Sequence, residues 1–438
     1  MAEVAHMRTA AETGLADQFT LSKPHLPGDA LAREQAFARF YARGLPHRRV
    51  EEWKYTDLRA LMRDAAPLAQ VPTPEEASAA VAGARGFDGL DAARVTLVNG
   101  HFVREASDLS GLPESVEVIP LAQALASHPL LTRMGAVPAA GSNAAYALNA
   151  AFMTDGAVIH VAAGTTVERP IHLRFVNAGD APFATATRVL VVAEVGATLT
   201  LVESHEGPDG IAYQTNGVVE IVAGDHARVR HVRLNREGAE ALALSTLTAK
   251  LGAHVSFSSL NVVPGAAVSR HQVFLAFMGE HSTAQINGAA MLKARHHADS
   301  TLVVTHAVPH CTSREMFRTV IDDEATGVFQ GKIIVEPHAQ KTDGRMMSAA
   351  LLLADGGTMN NKPELEIFAD DVQCAHGATC GQLDEDLLFY LMARGLPRRE
   401  AESLMVQAFL GEALESVEDE ALRAPLVTVV EDWLRARA

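Results

Sequence analysis

The 438-residue chain is predicted to be mainly β, with a solenoid of stacked coils at its centre and helical segments on either side. Residues 151–382 are rich in valine, threonine and isoleucine, and their polarity alternates with a period of two, which is typical of strands. A glycine also recurs within this stretch at nearly constant spacing. Helix signals are confined to the residues before and after it.

The glycine repeat favours a solenoid over the other common all-β architecture. Five segments of the type strand–glycine–strand align on glycines that are separated by 32, 28, 28 and 27 residues: Gly164, Gly196, Gly224, Gly252 and Gly279. A unit that returns at a fixed period indicates stacked coils, each burying an inward-facing row of side chains. A β-sandwich also has short strands with frequent turns, and it stays the alternative on this pattern.

The helix signals divide the chain into three predicted domains. Residues 1–150 form a mixed, helix-rich N-terminal domain, residues 151–382 the β core, and residues 383–438 a C-terminal helical domain. Residues that favour helix ends stand where these helices are expected to begin or end: Asp29, Gly44, Asp384, Gly395 and Pro397. Trp53 and Tyr55 are expected to pack within the N-terminal domain. Helices on both sides would cover the open ends of a solenoid.

Composition excludes several classes of function. The formal net charge is −16, so nothing offsets the repulsion of phosphates, and a nucleic-acid or anionic-membrane partner is not expected. The chain contains three cysteines, which is an odd number and too few for a disulfide framework. This composition points to a reducing compartment. No apolar run approaches the roughly 18–20 residues that span a bilayer. We expect a cytoplasmic protein.

Residues 370–382, DDVQCAHGATCGQ, contain two of the three cysteines. In a strand, Cys374 and His376 project to the same face roughly 6.5–7 Å apart, so both reach one metal ion. A thiolate and an imidazole suit zinc or iron, but so few local ligands leave a site that is open or completed by another chain. A buried thiol beside a satisfied histidine, and a Cys–His nucleophile pair, stay alternatives.

Other candidate ligands lie nearby in the sequence. Cys380 would add a third ligand only if the turn-like sequence GATCG aims it at the same ion. Histidines gather upstream of this segment: His296, His297, His306, His310 and His338. Side chains one coil apart stack in a solenoid, so a column of histidines is an alternative to ordinary structural roles.

Three long segments carry a resemblance to a known family: EEWKYTDLR at 51–59, SREMFRTVIDDEATGVFQGKIIV at 313–335, and PELEIFADDVQCAHGATCGQLDEDLLFYLMARGL at 363–396. The chain resembles the SufB/SufD family of the SUF iron–sulfur cluster assembly system over its whole length. Its single HGAT-type segment, and the lack of an N-terminal cysteine cluster, resemble the SufD branch.

The resemblance implies a fold and a role. It implies a right-handed parallel β-helix with N-terminal and C-terminal helical domains, and a scaffold without catalytic activity. Members pair through their β-helices with SufB, and their C-terminal helical domains dock the SufC ATPase. The family's Cys-x-His matches Cys374 and His376, and the histidine is implicated in iron acquisition. The metal is then transient iron, or a nascent iron–sulfur cluster, shared with SufB. A reduced flavin is associated with such complexes, but the sequence contains no flavin fingerprint.

The C-terminal helices supply the expected partner-binding residues. Leu404, Met405, Ala408 and Phe409 form an apolar stripe that is expected to pack the C-terminal domain. Leu404 and Phe409, with their exposed neighbours and the loop at 395–399, are the expected docking surface for SufC. Whether the isolated chain forms a homodimer stays open.

Two functions of other classes are weaker alternatives. Carbohydrate-active β-helix enzymes need charged groups clustered on one outer face and aromatic platforms for sugars, but aromatic residues make up only 5% of this chain. A cysteine hydrolase would need Cys374 to be activated by a base and a third, orienting group, and none is evident.

Overall fold

The computed structural model describes residues 8–437. Its centre is a pair of long sheets, one of ten strands and one of nine. In chain order the strands are β1 (Ala93–Val98), β2 (His101–Phe102), β3 (Val116–Pro120), β4 (Asp155–Val161), β5 (Ile171–Val176), β6 (Ala184–Ala193), β7 (Thr198–Glu206), β8 (Gln214–Ala223), β9 (Arg228–Arg236), β10 (Leu242–Leu251), β11 (Ser256–Val263), β12 (Val268–Phe277), β13 (Thr283–Leu292), β14 (His297–His306), β15 (Thr312–Ile321), β16 (Thr326–Val335), β17 (Asp343–Leu352), β18 (Thr358–Ile367) and β19 (Gln373–Gly381).

From β4 onward the chain alternates strictly between the two sheets. Even-numbered strands form the nine-stranded sheet together with β3, and odd-numbered strands form the ten-stranded sheet together with β2. Successive strands of each sheet pair in parallel, and among the strands of residues 8–437 only β2 and β3 pair with their neighbours in antiparallel fashion. Each residue lies beside the residue 26 to 32 positions later in the chain. This is a parallel β-solenoid, so the predicted fold class is confirmed and the sandwich is excluded.

Alternate residues of both sheets point inward and fill the solenoid. The largest buried cluster consists mainly of aliphatic residues, among them Val191, Leu201, Ile221, Val229 and Leu251. Because each inward position repeats in the next coil, equivalent residues form columns along the axis. The core is therefore a set of aliphatic columns. Repetition of the same inward positions from coil to coil is enough to form it.

The five repeat glycines lie at the corner where each even-numbered strand passes to the next odd-numbered one. Gly164 and Gly196 adopt φ of 70° and 71°, a conformation that glycine reaches without strain. Gly279 serves a different purpose, because a Cβ there would lie 2.1 Å from the Ala253 backbone nitrogen. Glycine therefore recurs for two reasons. The first coils need a residue with left-handed backbone, and the later coils need a residue without a side chain where the backbones of neighbouring coils approach closely.

From residue 8 onward, six α-helices precede or interrupt the first strands: α1 (Ala10–Ser22), α2 (Ala30–Arg43), α3 (Leu58–Leu61), α4 (Pro74–Gly83), α5 (Leu121–Ala124) and α6 (Ala144–Phe152). The predicted ends of α2 are confirmed: the Asp29 side chain accepts a hydrogen bond from the Leu31 backbone N–H, and Gly44 takes a φ of 73°. Helices α1, α2 and α6 pack together around an apolar cluster that also contains Leu244 of the nine-stranded sheet. The N-terminal helices thus lie against the outer face of that sheet.

The segment EEWKYTDLR fixes this arrangement. Trp53 is only 2% exposed, and the Arg270 guanidinium lies over its ring at 3.8 Å from the centroid. Arg270 also donates to Asp299 and, at 2.6 Å, to the Glu52 carbonyl. Thr56 donates to the same Asp299. The expected packing of Trp53 in the N-terminal region is confirmed, and the motif also joins that region to β12 and β14.

Up to residue 437, three α-helices follow the solenoid: α7 (Glu385–Ala393), α8 (Arg398–Leu414) and α9 (Glu420–Arg437). The Asp384 cap and the start of α8 after Pro397 are as predicted. Helices α8 and α9 bury apolar residues against the outer face of the ten-stranded sheet, where Val232, Leu260 and Ala289 lie. Among the described residues, no helix is both long and apolar enough to cross a membrane.

The apolar stripe of α8 is oriented differently from the prediction. The buried residues of this helix are Ala401, Val406, Leu410, Ala413 and Leu414. Leu404 is 43% exposed, Ala408 is exposed, and Phe409 is half-buried beneath Arg318. The expectation that this stripe packs the domain is therefore wrong for Leu404 and Ala408. Because α8 is apolar on two sides, the pattern alone does not say which side meets the sheet.

The far end of the solenoid is open. Strands β18 and β19 end the two sheets, so each pairs on one side only. None of their residues is fully buried, and the adjoining Phe368 is 61% exposed. The expectation that helices cover both ends is wrong at this end. Helices α8 and α9 pack on the apolar outer face of the ten-stranded sheet instead of covering its last strand.

Candidate metal site at the open end of the solenoid

The Cys-Ala-His segment lies in β19, the terminal strand. Cys374 pairs with Gly344 of β17 and His376 pairs with Met346. Met346 is 2% exposed and belongs to the interior cluster, so the face that carries Cys374 and His376 continues the interior of the solenoid. The two side chains therefore share one face, as predicted, and that face lies at the opening.

The two side chains differ in their surroundings. Cys374 is half-buried and packs against the interior cluster. His376 is exposed, because no further coil covers its column. Together they offer a soft thiolate and an imidazole at the mouth of the solenoid, a donor pair suited to iron or zinc.

The Cys374 thiol is not activated as a nucleophile. Burial raises its pKa, the nearby carboxyl groups of Asp343 and Glu315 raise it further, and only the backbone hydrogen bond from Gly344 opposes them. Catalytic thiols have lowered pKa values, set by cationic neighbours or helix N-termini. These surroundings disfavour the Cys–His nucleophile interpretation.

An acidic side chain lies deeper in the same column. Glu315 pairs with Ile286 on one side and Met346 on the other, and Met346 in turn pairs with His376. Glu315 is 2% exposed, and burial raises its pKa to about 8 against the smaller opposing effects of Ser313 and Arg314. Sequence reasoning missed this residue, because only the coil register places it two coils beneath His376.

The other two cysteines are out of reach of this pair. GATCG continues as strand to Gly381 instead of turning, so Cys380 is six strand residues from Cys374, or about 20 Å at roughly 3.3 Å per residue. Cys311 is fully buried, and its thiol donates to the Gly279 carbonyl. Within residues 8–437 no three His, Cys, Asp or Glu side chains are arranged to hold one metal ion. A metal held by Cys374 and His376 thus needs ligands from elsewhere.

The upstream histidines are mostly dispersed. The side chain of His297 forms a hydrogen bond with that of Thr56. His306 lies inside the solenoid, where its side chain forms a hydrogen bond with Ser313. His310, in contrast, belongs to a column of stacked rings that also contains His226, His254 and His281. The signal for this column is the repeat itself, since a histidine follows two residues after Gly224, Gly252 and Gly279.

An apolar surface lies on the C-terminal helices. The apolar patch of α7 and α8 consists of side chains that are 40% to 72% exposed: Leu387, Phe389, Tyr390, Met392 and Leu404. Leu404 was expected in a docking surface, and it lies in this patch. Phe409 was expected there too, but it packs toward the solenoid instead. The α7 residues were missed, because the apolar sequence LLFYLMAR does not show which of its side chains the fold leaves exposed.

Comparison with known proteins fits this architecture. Residues 175–409 match the family model "SUF system FeS cluster assembly, SufBD core domain", and residues 26–173 match "SufBD protein N-terminal region". The chain belongs to the SufBD family. The core match spans the solenoid from the end of β5 to β19 and continues through most of α8, so it includes Cys374, His376 and the apolar patch.

Individual members of the SufBD family are similar over most of their length. The iron–sulfur cluster assembly SufBD family protein slr0076 of Synechocystis is 33% identical over 389 residues, which cover 85% of this chain and 84% of that protein. The iron–sulfur cluster assembly protein SufD of Escherichia coli is 30% identical over 388 residues, covering 87% of each chain. SufD of Bacillus subtilis is 26% identical over 299 residues, or 65% of each.

Thiol labelling tests the state of Cys374. With iodoacetamide at pH 7, we expect Cys380 to react first, Cys374 more slowly and Cys311 last, following their exposure. Because the pKa of Cys374 is raised, its rate should rise about tenfold per pH unit between pH 7 and 9, as the thiolate forms. Mass spectrometry of the labelled peptides measures all three rates. Fast, pH-independent labelling of Cys374 would instead indicate an activated nucleophile.

Proposed function

We propose that this chain is a non-catalytic scaffold subunit of the SUF machinery in the cytoplasm. It pairs with SufB through the open end of its solenoid, docks the SufC ATPase through its C-terminal helices, and supports iron acquisition and nascent cluster formation at the SufB interface. The observation that carries the proposal is the position of Cys374 and His376 on a terminal strand that pairs on one side only. Membership of the SufBD family supports the same role.

The open end needs a partner for physical reasons. Strands β18 and β19 present one row each of unpaired backbone N–H and C=O groups, and such edges invite pairing with another chain. Ile367 and Phe368, which are 40% and 61% exposed, add apolar surface beside the edge. A second solenoid that adds its own terminal strands would continue both sheets and bury this surface, as in β-augmentation.

Such pairing would also complete the metal site. Cys374 and His376 supply two donors, and a partner strand laid across the opening would bring its own side chains about 4.8 Å away. Iron is cargo in this scheme. The two residues hold it, or a nascent cluster, until the partner's ligands share it. A site divided between two chains would open whenever the interface moves, which fits a transfer role better than a permanent one.

The apolar patch of α7 and α8 is the proposed SufC docking surface. Its side chains lie on α7 and α8, two packed helices that follow the last strand in the chain. Several large apolar side chains that stay exposed on two packed helices are the kind of surface that usually marks an interaction site. We assign SufC to these helices and SufB to the terminal strands, so that one subunit would bind both partners at the same time.

Substitution of His376 tests the shared metal site. We expect the complex of His376→Ala with co-expressed SufB and SufC to keep all three subunits but to lose most of its iron and sulfide, because one of this chain's two donors is gone. Metal and sulfide analysis of the purified complex measures the loss. Cys380→Ser is the matched control and should leave both contents unchanged. An intact His376→Ala complex with undiminished iron would sink the shared-site proposal.

Substitution of Phe389 tests the docking surface. Phe389 is 72% exposed, so Phe389→Asp should leave the fold intact while placing a charge within an apolar interface. We expect SufC to be lost from co-purified complexes while SufB is retained. Leu21→Asp, at a similarly exposed leucine of α1 (74% exposed), is the control and should retain both partners. Retention of SufC by a folded Phe389→Asp variant would place the docking surface elsewhere.

A further inference from the structure

A row of four imidazoles runs along one corner of the solenoid. The rings of His226 and His254 stack at a centroid distance of 4.8 Å, those of His254 and His281 at 5.1 Å, and those of His281 and His310 at 4.8 Å. Their planes differ by only 4° to 15°. All four side chains are exposed. We call this row the histidine ladder.

The coil register produces the ladder. Each histidine stands two residues before the first residue of an odd-numbered strand, and those first residues pair with one another. The same position is occupied by Gly196 in the preceding coil, and by Lys341 and Asp371 in the two that follow. The ladder thus ends two coils, or about 10 Å, from the terminal coil that carries Cys374.

The position itself does not require histidine. The four residues have φ between 56° and 61°, a left-handed conformation that glycine adopts without strain and that asparagine, aspartate and histidine adopt more often than other residues. Gly164 and Gly196 already fill it in earlier coils. Lys341, with a φ of 62°, fills it in the coil after His310. Since the turn is made without histidine in other coils, four histidines in successive coils point to a role for their exposed row of imidazole nitrogens.

We propose that the histidine ladder is a binding strip for first-row divalent transition-metal cations. Neutral imidazole is a preferred ligand of such ions. Each neighbouring pair of rings would hold one ion, with water completing its coordination, so the ladder offers overlapping pairs and not one closed site. This agrees with the lack of any three-ligand arrangement among the described residues, and it does not depend on the proposed function.

The geometry allows paired binding after a small side-chain rotation. Two nitrogens on a tetrahedral ion with bonds of 2.0–2.1 Å lie about 3.3 Å apart. The centroids of the stacked rings are 4.8 Å apart in the closer pairs. The rings must therefore tilt toward each other to bring one nitrogen from each onto the same ion. Exposed side chains can do this, whereas the backbone is held: the His226 and His254 N–H groups donate to carbonyls of the next coil at 2.7 and 2.8 Å.

Carboxylates next to the ladder favour cations. Glu280 Oε2 lies 3.8 Å from His281 Nε2, and Asp225 lies in the turn of His226, where its side chain accepts from the Ala253 N–H at 2.8 Å. The chain as a whole carries a net charge of −16. Together these charges raise the local concentration of cations at an exposed strip.

The double variant His254→Asn/His281→Asn tests the proposal, because it removes every adjacent pair while asparagine keeps the left-handed backbone. The experiment titrates Ni²⁺ into the full chain by calorimetry, in a Cys374→Ser/His376→Ala background that silences the other candidate site. We expect the ladder variant to bind Ni²⁺ at least about tenfold more weakly than the background chain. The control, His25→Asn/His338→Asn, alters two exposed histidines outside the ladder and should bind like the background chain.

Each contrary outcome is informative. Equal Ni²⁺ binding by the ladder variant and the background chain would overturn the proposal. A lower melting temperature of the ladder variant together with unchanged binding would overturn it too, and would assign the stack to stabilising the corner. Equal losses in the ladder variant and the control would show non-specific binding by surface histidines. Since Cys374 and His376 are absent throughout, none of these results bears on the proposed iron site.

Discussion

In-register stacking of parallel coils is the constraint on which the rest of this molecule depends. Once each residue lies beside the one 26 to 32 positions later, every feature of one coil meets its equivalent in the next. Inward positions become aliphatic columns, and corner glycines become places where backbones approach closely. Histidines at one corner become a stack. A residue type that recurs at one position of each coil thus forms a continuous row along the axis.

No further coil stacks on the last one, and this open end creates the candidate site. The columns that are covered elsewhere end in the open at β18 and β19, so backbone groups, apolar side chains, a cysteine and a histidine are presented together. In the middle of the solenoid a cysteine and a histidine on the inward face would be buried and inaccessible. On β19 the same alternation leaves Cys374 half-buried and His376 exposed. The chemistry of the pair therefore comes from its place in the stack.

Much of this arrangement was predictable from local patterns. The glycine period predicted the solenoid, capping residues such as Asp29 and Asp384 predicted helix starts, and strand alternation predicted that Cys374 and His376 share a face. These predictions succeeded because each rests on short-range geometry. The role of the pair as an iron site stays a prediction.

Features that depend on contacts between distant segments were not predictable. The Arg270 guanidinium over Trp53 joins residues far apart in the chain, and Glu315 beneath His376 needs the coil register. The orientation of α8 was mistaken because two of its sides are apolar, and only the sheet it meets decides between them. GATCG was read as a turn because glycines and small residues favour turns, but pairing with β17 holds it as a strand.

Hydrogen exchange of the terminal coil tests the central claim most directly. The amides of residues 358–381 would be compared in the chain alone and in the purified complex with SufB and SufC. If the open end is the pairing surface, these amides should exchange at least about tenfold more slowly in the complex, because edge N–H groups gain partners. Exchange that is equally fast in an intact complex, with protection appearing elsewhere on the solenoid, would contradict the account.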